Sequence, residues 1–433
     1  MMRISGRIGL VFLACAGIGG SRLPAAVIHT VSIYSLTGGA DGAWPNAAPL
    51  IDGVTGVLYA TSFAGGSGSS GTVFSLTPPQ AGTTAWTQTT LWSFTGGADG
   101  ASPVGSLIED NTGALYGTAS GGGAGHAGTV FQLSPPAAGQ TAWTEATLHD
   151  FTLATDGGNP SAGLVAGANG VLYGTTASYG PNGYGTVFRL LPPGAGGTAW
   201  TETTLWAFTG GADGGHPLST LLIDNAGNLY GTASQGGTNA LGGTVFEISP
   251  AIGGGLPIET TLHSFTGPDG LHPAAALIVD KSGALYGTTA FGGATGQGTV
   301  FQLTPPAVGG TDWTQSVLYS FSAAAGGIHP FSPLLADKHG ALYGTTFGYV
   351  SVAFQTTPPT VFRLTPPPLA GGGWTIGILA SLDPKIIGQN VVGGLVSDGQ
   401  AGLYGPVVIG KPNGKTTFPG GIFEVKGAGF VAP

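Results

Sequence analysis

Leu285-Tyr286-Gly287-Thr288-Thr289, entered from the turn Asp280-Lys281-Ser282-Gly283, is one of seven copies of a short β signature. The Leu-Tyr pair recurs with its tyrosine at Tyr59, Tyr116, Tyr173, Tyr230, Tyr286, Tyr343 and Tyr404, at intervals of 57, 57, 57, 56, 57 and 61 residues. A fixed period of this size with β patterning marks a propeller or a linear array. Around the signature, one unit reads as four strands. Pro273–Val279 is an apolar first strand, and the Asp-Lys-Ser-Gly turn follows, with Asp to bond the backbone ahead and Gly to take positive φ. Residues 284–289 form the second strand. A Gly-rich loop from Gly292 to Gly298 leads to the third, Thr299-Val300-Phe301-Gln302-Leu303, which Pro305-Pro306 ends because proline cannot continue a ladder. A fourth strand runs through Val317-Leu318-Tyr319-Ser320-Phe321.

The strands are apolar on both faces. A sheet wet on one side would alternate, so each sheet is expected to be covered on both sides, as in stacked blades. Third strands begin at Thr72, Thr129, Thr186, Thr244, Thr299, Thr360 and Gly421. The fourth-strand pattern occurs at Val31–Leu36, Thr90–Phe94, Thr147–Phe151, Thr204–Phe208, Thr261–Phe265, Val317–Phe321 and Ile378–Leu382. The first of these precedes every other element, and the chain stops soon after a third strand. The expected fold is therefore an all-β, seven-bladed β-propeller with four strands per blade. Val31–Leu36 supplies the outer strand of the last blade and so removes two free sheet edges.

The repeat resembles the GloVer-type tandem repeat of bacterial exported proteins. The resemblance rests on the recurring Leu-Tyr-Gly-Thr-Thr, Gly-Thr-Val-Phe and Ser-Phe-Thr-Gly-Gly-Ala-Asp-Gly segments. It implies an exported, propeller-like protein and brings no set of catalytic residues. Some relatives carry a C-terminal anchoring segment, and the last residues, Gly427 to Pro433, do not read as one. Unit seven departs from the pattern, with Pro406-Val407 in place of the Thr pair and with Lys411 and Lys415 in its loop. Unit six has an irregular loop from Phe347 to Pro359.

Composition narrows the function. Only 7% of the 433 residues are charged, 42% are hydrophobic, 83 are glycine, and the formal net charge is −9. No Lys or Arg stands between Arg22 and Arg189. Nucleic-acid binding needs a basic stripe to neutralise phosphates, and attraction to anionic lipid needs a basic cluster, so neither is expected. Arg3 and Arg7 followed by the apolar run Ile8–Ala16 read as an export signal, giving residues 1–26 as signal peptide and 27–433 as a single propeller. The run is too short to span a bilayer. Phe12-Leu13-Ala14-Cys15 also has the outline of a lipoprotein signal, with Phe12 where leucine is usual. Cys15 is the sole cysteine. Secretion or a periplasmic location is the expectation, with stability drawn from packing instead of disulfides.

Candidate sites follow the register. The residue before the proline that opens each first strand is Trp44, Ser102, Asn159, His216, His272 and His329, with Asn390 in the same register in unit seven. With first strands innermost, these ring one mouth of a central channel and are the expected ligand-binding set. His216, His272 and His329 on consecutive blades are the candidate metal ligands, set against a plain role in loop entry. Asp41, Asp99, Asp156, Asp213 and Asp269 recur before glycine. One carboxylate per blade falls short of the six to eight oxygens of calcium, so a turn role is expected. Gly66-Ser67-Gly68-Ser69-Ser70-Gly71 matches the dinucleotide fingerprint but opens no helix. Glu109 and Asp110 sit together at a hairpin tip, and that spacing does not make a glycosidase pair. Trp86, Trp143, Trp200, Trp313 and Trp374 recur in the loop before the fourth strand, with Pro257 in unit four. They are read as rim packing, with sugar stacking as the alternative. The functional expectation is a monomeric binding or scaffold module without a cofactor, for a glycan or protein ligand. The alternative is a carbohydrate-active lyase or hydrolase with its site at the channel mouth.

Overall fold

A computed structural model describes residues 28–250, 255–323, 327–350, 356–369, 371–382, 393–400, 402–408 and 419–433. Among them seven antiparallel blade sheets form a propeller, five of four strands and two, those of blades two and four, with the innermost strand split into two short pieces. The proposed signal peptide and Asn390 lie outside the described residues. The second strands are Leu58–Ser62, Leu115–Gly121, Leu172–Thr176, Leu229–Gln235, Leu285–Thr289, Leu342–Thr346 and Leu403–Val407. The third strands begin at the seven residues expected of them. The last blade is ordered His29–Ser35, Gly421–Lys426, Leu403–Val407, Val396–Ser397. The N-terminal strand thus closes the ring, with His29 opposite Lys426 and Ser35 opposite Gly421.

The signature owes its persistence to the joints between blades. Leu285 packs with Phe301, Leu277 and Val245 toward blade four. Tyr286 packs toward blade six, against Phe321, Leu342 and Phe362. Period-two alternation sends neighbours to opposite faces, so one dipeptide serves two joints. A Cβ on Gly287 would stand 2.6 Å from Phe301 Cζ and 2.9 Å from Leu277 Cδ2, which is why the position stays small. Thr288 is buried and donates its hydroxyl to the Ser332 carbonyl of the next blade. The same bond runs from Thr61, Thr118, Thr175, Thr232 and Thr345. Pro406 stands in this place in blade seven and has no donor to offer.

A second ladder lies farther out. The phenylalanine ending each fourth strand meets the third-strand phenylalanine of the next blade edge to face. The pairs are Phe94–Phe131, Phe151–Phe188, Phe208–Phe246, Phe265–Phe301 and Phe321–Phe362, with centroids 5.0 to 5.2 Å apart. Leu382 and Leu36 take the phenylalanine's place on the two sides of blade seven. Each fourth strand also carries one register shift against the third, as between Val300 and Phe301, and such a bulge sharpens local twist.

Two strand expectations need correction. The first strand does not span Pro273–Val279, and only Ile278–Val279 pairs with the second strand. The residues before it face the channel and bond sideways, with the Ala275 carbonyl taking the Thr232 hydroxyl of the previous blade. The fourth strands start two or three residues earlier than the sequence pattern and stop one short of the phenylalanine, as in Thr314–Ser320. Their leading residues alternate exposed and half-buried, a pattern the apolar core does not mark.

Candidate functional site

The seven innermost segments surround a channel with a cavity of about 340 Å³, lined by small residues such as Ala47, Gly105, Ala162, Ser219, Ala275 and Gly394 together with Phe331. Trp44, Ser102, Asn159, His216, His272 and His329 each lie two residues before a channel-lining residue. All six take left-handed backbone angles, with φ between 53° and 61°. A bulky residue there is uncommon, and a residue preceding proline normally favours extended angles. Two backbone bonds hold them in place. The amide of His216 donates to Tyr184 O of the preceding blade, and His272 and His329 donate likewise to Gly242 O and Gln297 O. The His272 and His329 carbonyls accept from Ala290 N and Phe347 N of their own blades. The residue before the proline is thus a splice between blades. Sequence held a partial signal for it, since Asn and His are enriched in this conformation.

The imidazoles of two splice residues are tied to backbone carbonyls. His216 Nδ1 and His329 Nδ1 each lie 2.8 Å from a backbone carbonyl, of Ala177 and Ala290. Each of these nitrogens therefore carries the proton. Among the described residues no three His, Cys, Asp or Glu side chains group as a metal would require. What the mouth does collect is rings. Tyr184 and His216 lie 5.6 Å apart by centroid. Phe291 meets His272 at 5.6 Å, His329 at 4.7 Å and Phe331 at 6.1 Å, and Phe331 continues to Phe347 at 5.9 Å. Tyr179, Tyr184 and Phe291 are exposed. On the far side of the ring Trp44 packs with Phe63 at 6.3 Å. Burial lowers the pKa of His272, so the imidazole is neutral in this setting. The mouth is aromatic among the described residues.

The recurring acids serve structure. Asp99 accepts from the Thr95 amide and hydroxyl. Asp41, Asp156, Asp213 and Asp269 close the same turn on Thr37, Thr152, Thr209 and Thr266. His149 and His263 add imidazole contacts to Asp156 and Asp269 at 3.0 and 2.8 Å. These contacts satisfy the carboxylates as a turn requires, and calcium is not needed to explain them. The hairpin-turn acids hold the signature tyrosines: Asp110, Asp224, Asp280, Asp337 and Asp398 accept from Tyr116, Tyr230, Tyr286, Tyr343 and Tyr404. Sequence reading missed this link, although a constant six-residue separation carried it. Glu145, Glu202 and Glu259 are pushed up to about 7, chiefly by burial, with a hydroxyl from Thr147, Thr204 or Thr261 pulling the other way. Raised carboxyl pKa values attract catalytic readings, but these three repeat on the outer strands. The dinucleotide-like run Gly66–Gly71 lies between the strands Leu58–Ser62 and Thr72–Thr77 with no helix.

The tryptophans pack on the rim. Trp143, Trp86, Trp200 and Trp313 meet Tyr59, Tyr404, Tyr116 and Tyr230 of the preceding blade at 6.0 to 6.5 Å, all edge to face. Trp374 joins the cluster that holds Tyr286. Tyr343 is met by Phe430 from the C-terminal segment at 5.2 Å.

The protein is thus a seven-bladed repeat propeller with an aromatic channel mouth. It belongs to the Gloeobacter/Verrucomicrobia repeat family, whose model matches residues 23–145, 137–258 and 195–419. No curated protein matches the chain significantly. Among solved structures, PorZ, a surface component of the type-IX secretion system of Porphyromonas gingivalis, is 14% identical with a TM-score of 0.48. The match covers 86% of this chain but 45% of that one, so the chain spans less than half of PorZ. A putative oxidoreductase (glucose dehydrogenase) of Thermus thermophilus is 15% identical over 75% of this chain and 96% of its own, with a TM-score of 0.43. A putative 6-phosphogluconolactonase of Bacteroides uniformis is 14% identical over 76% and 82%, with a TM-score of 0.45. Likeness at this level says nothing about activity. Among the described residues no helix is long and apolar enough to cross a membrane.

Proposed function

We propose that this chain is an exported binding module whose aromatic channel mouth takes a neutral glycan. The observation that carries this reading is the continuous arc His272–Phe291–His329, with rings 4.7 to 5.6 Å apart. Faces of rings suit the apolar faces of sugars, and ring nitrogens and backbone groups suit hydroxyls. Export through residues 1–26 and a monomeric state belong to the same proposal. The alternative, a lyase or hydrolase at this mouth, calls for a titratable cluster that breaks the repeat. The uniform turn role of the aspartates weighs against it.

The test is glycan-array binding beside turnover screening, on the wild type and a Phe291→Ala/His329→Ala variant. A glycan bound by the wild type and weakened tenfold or more in the variant supports the reading. Binding only to protein ligands, or no change in the variant, overturns it. Turnover lost in the variant moves the chain to the enzyme reading.

A further inference from the structure

At the other end of the strands from the mouth, one joint lacks its indole. Tyr173 of blade three should be met by the tryptophan of blade four, and the residue there is Pro257. The joint between blades three and four holds a cavity of about 400 Å³ walled by Tyr173, Arg189, Leu205, Leu229, Ile248 and Pro257. Its reach is the informative feature. The equivalent groove between blades seven and one is floored by Trp86 and does not reach the core residues Leu58 and Leu76. Without the indole, the cavity extends to Leu229 and Ile248, which occupy the same register.

Arg189 is the second departure at this place. Its counterparts Gln132 and Gln302 donate to the tyrosine hydroxyl beside them. Arg363 lies 3.7 Å from the turn carboxylate Asp337. In blade three the turn residue is Gly167 and offers no carboxylate. Arg189 forms no ion pair among the described residues, and its Nε, like that of Arg363, is buried without a hydrogen-bond partner. A buried donor left unpaired is costly, and a guanidinium is shaped for a carboxylate.

We propose that this joint is a binding site for a small aromatic carboxylate, its ring filling the place of the missing indole beside Tyr173 and its carboxylate paired with Arg189. The sister joints supply the template for the ring, and blade six supplies the template for the anion. This site is independent of the channel mouth and of the ligand proposed there.

The experiment is titration calorimetry of the full-length protein with indole-3-acetate, beside indole and acetate as controls. One-to-one saturable binding is expected, with indole at least tenfold weaker and acetate silent. Arg189→Gln, which installs the residue found in sister blades, should weaken indole-3-acetate at least tenfold. Pro257→Trp should abolish binding by refilling the cavity and should raise the thermal midpoint. No saturable binding at millimolar ligand overturns the proposal, as does binding that Arg189→Gln leaves unchanged. If Pro257→Trp does not fold, the Arg189→Gln result decides alone.

Discussion

Thr288 illustrates how little chemistry a repeated residue needs in order to persist. Its hydroxyl is buried and its partner is a carbonyl of the next blade. Thr288→Val keeps the shape and orphans the Ser332 carbonyl, so it should cost about 1–2 kcal/mol, read as a lower urea midpoint at unchanged slope. The buried glutamates set a pH dependence. Glu145, Glu202 and Glu259 titrate near 7 in the fold, against an ordinary value of 4.5. The folded state therefore holds more protons between these values, and their contribution is fully present below about pH 4.5 and lost as pH rises through 7. His272 acts the other way, since its lowered pKa makes the unfolded chain the better proton acceptor below about 6.5. Glu109, raised in the same direction chiefly by burial, joins the three glutamates against His272, so the thermal midpoint should rise from pH 8 to pH 5. A Glu145→Gln/Glu202→Gln/Glu259→Gln variant should flatten or reverse that rise.

At the scale of strands, the second and third were legible because both faces are buried and their residues are therefore constrained twice. The innermost strand was not. Residues such as Ala274–Ala276 read as apolar β sequence, yet they line the channel and give their hydrogen bonds to a neighbouring blade. A one-dimensional pattern shows that a residue is apolar and does not show which direction its backbone bonds. The candidate mouth was legible in part. Register placed Trp44, Ser102, Asn159, His216, His272 and His329 together. The rings that join them, Tyr184 and Phe291, sit in variable loops with no periodic mark. The rim cavity announced itself only as Pro257 breaking a tryptophan series. The closing strand allows a direct check. Deleting residues 28–36 strips the partner from Gly421–Lys426 and leaves an open edge that invites self-association. The expected result is a markedly lower thermal midpoint with oligomers on size-exclusion chromatography. An unchanged monomer would refute closure by this strand.

The whole ring is held by similar joints with one weaker region. Blade seven is flanked by Leu36 and Leu382 where the other joints carry phenylalanine. It also has Pro406 where six blades donate a threonine hydroxyl. Local opening follows the least stabilised unit. Native-state hydrogen exchange should therefore show the amides of Gly421–Lys426 opening before those of the central strand Thr186–Leu191. Equal rates would mean that the ring opens as a single cooperative unit. The closing pair also has a consequence in time. His29–Ser35 precedes the strands of blades one to six and Gly421–Lys426 follows them, so those six blades must be synthesised before the two can meet. Blades one to six can assemble in turn behind the advancing chain, while the first strand waits as an unpaired ribbon. Long-range pairing of this kind is slow. A chain that stops before Gly421–Lys426 can bury most of its surface and still lack the strand that completes the circle, so ring closure separates chains that contain this segment from those that do not.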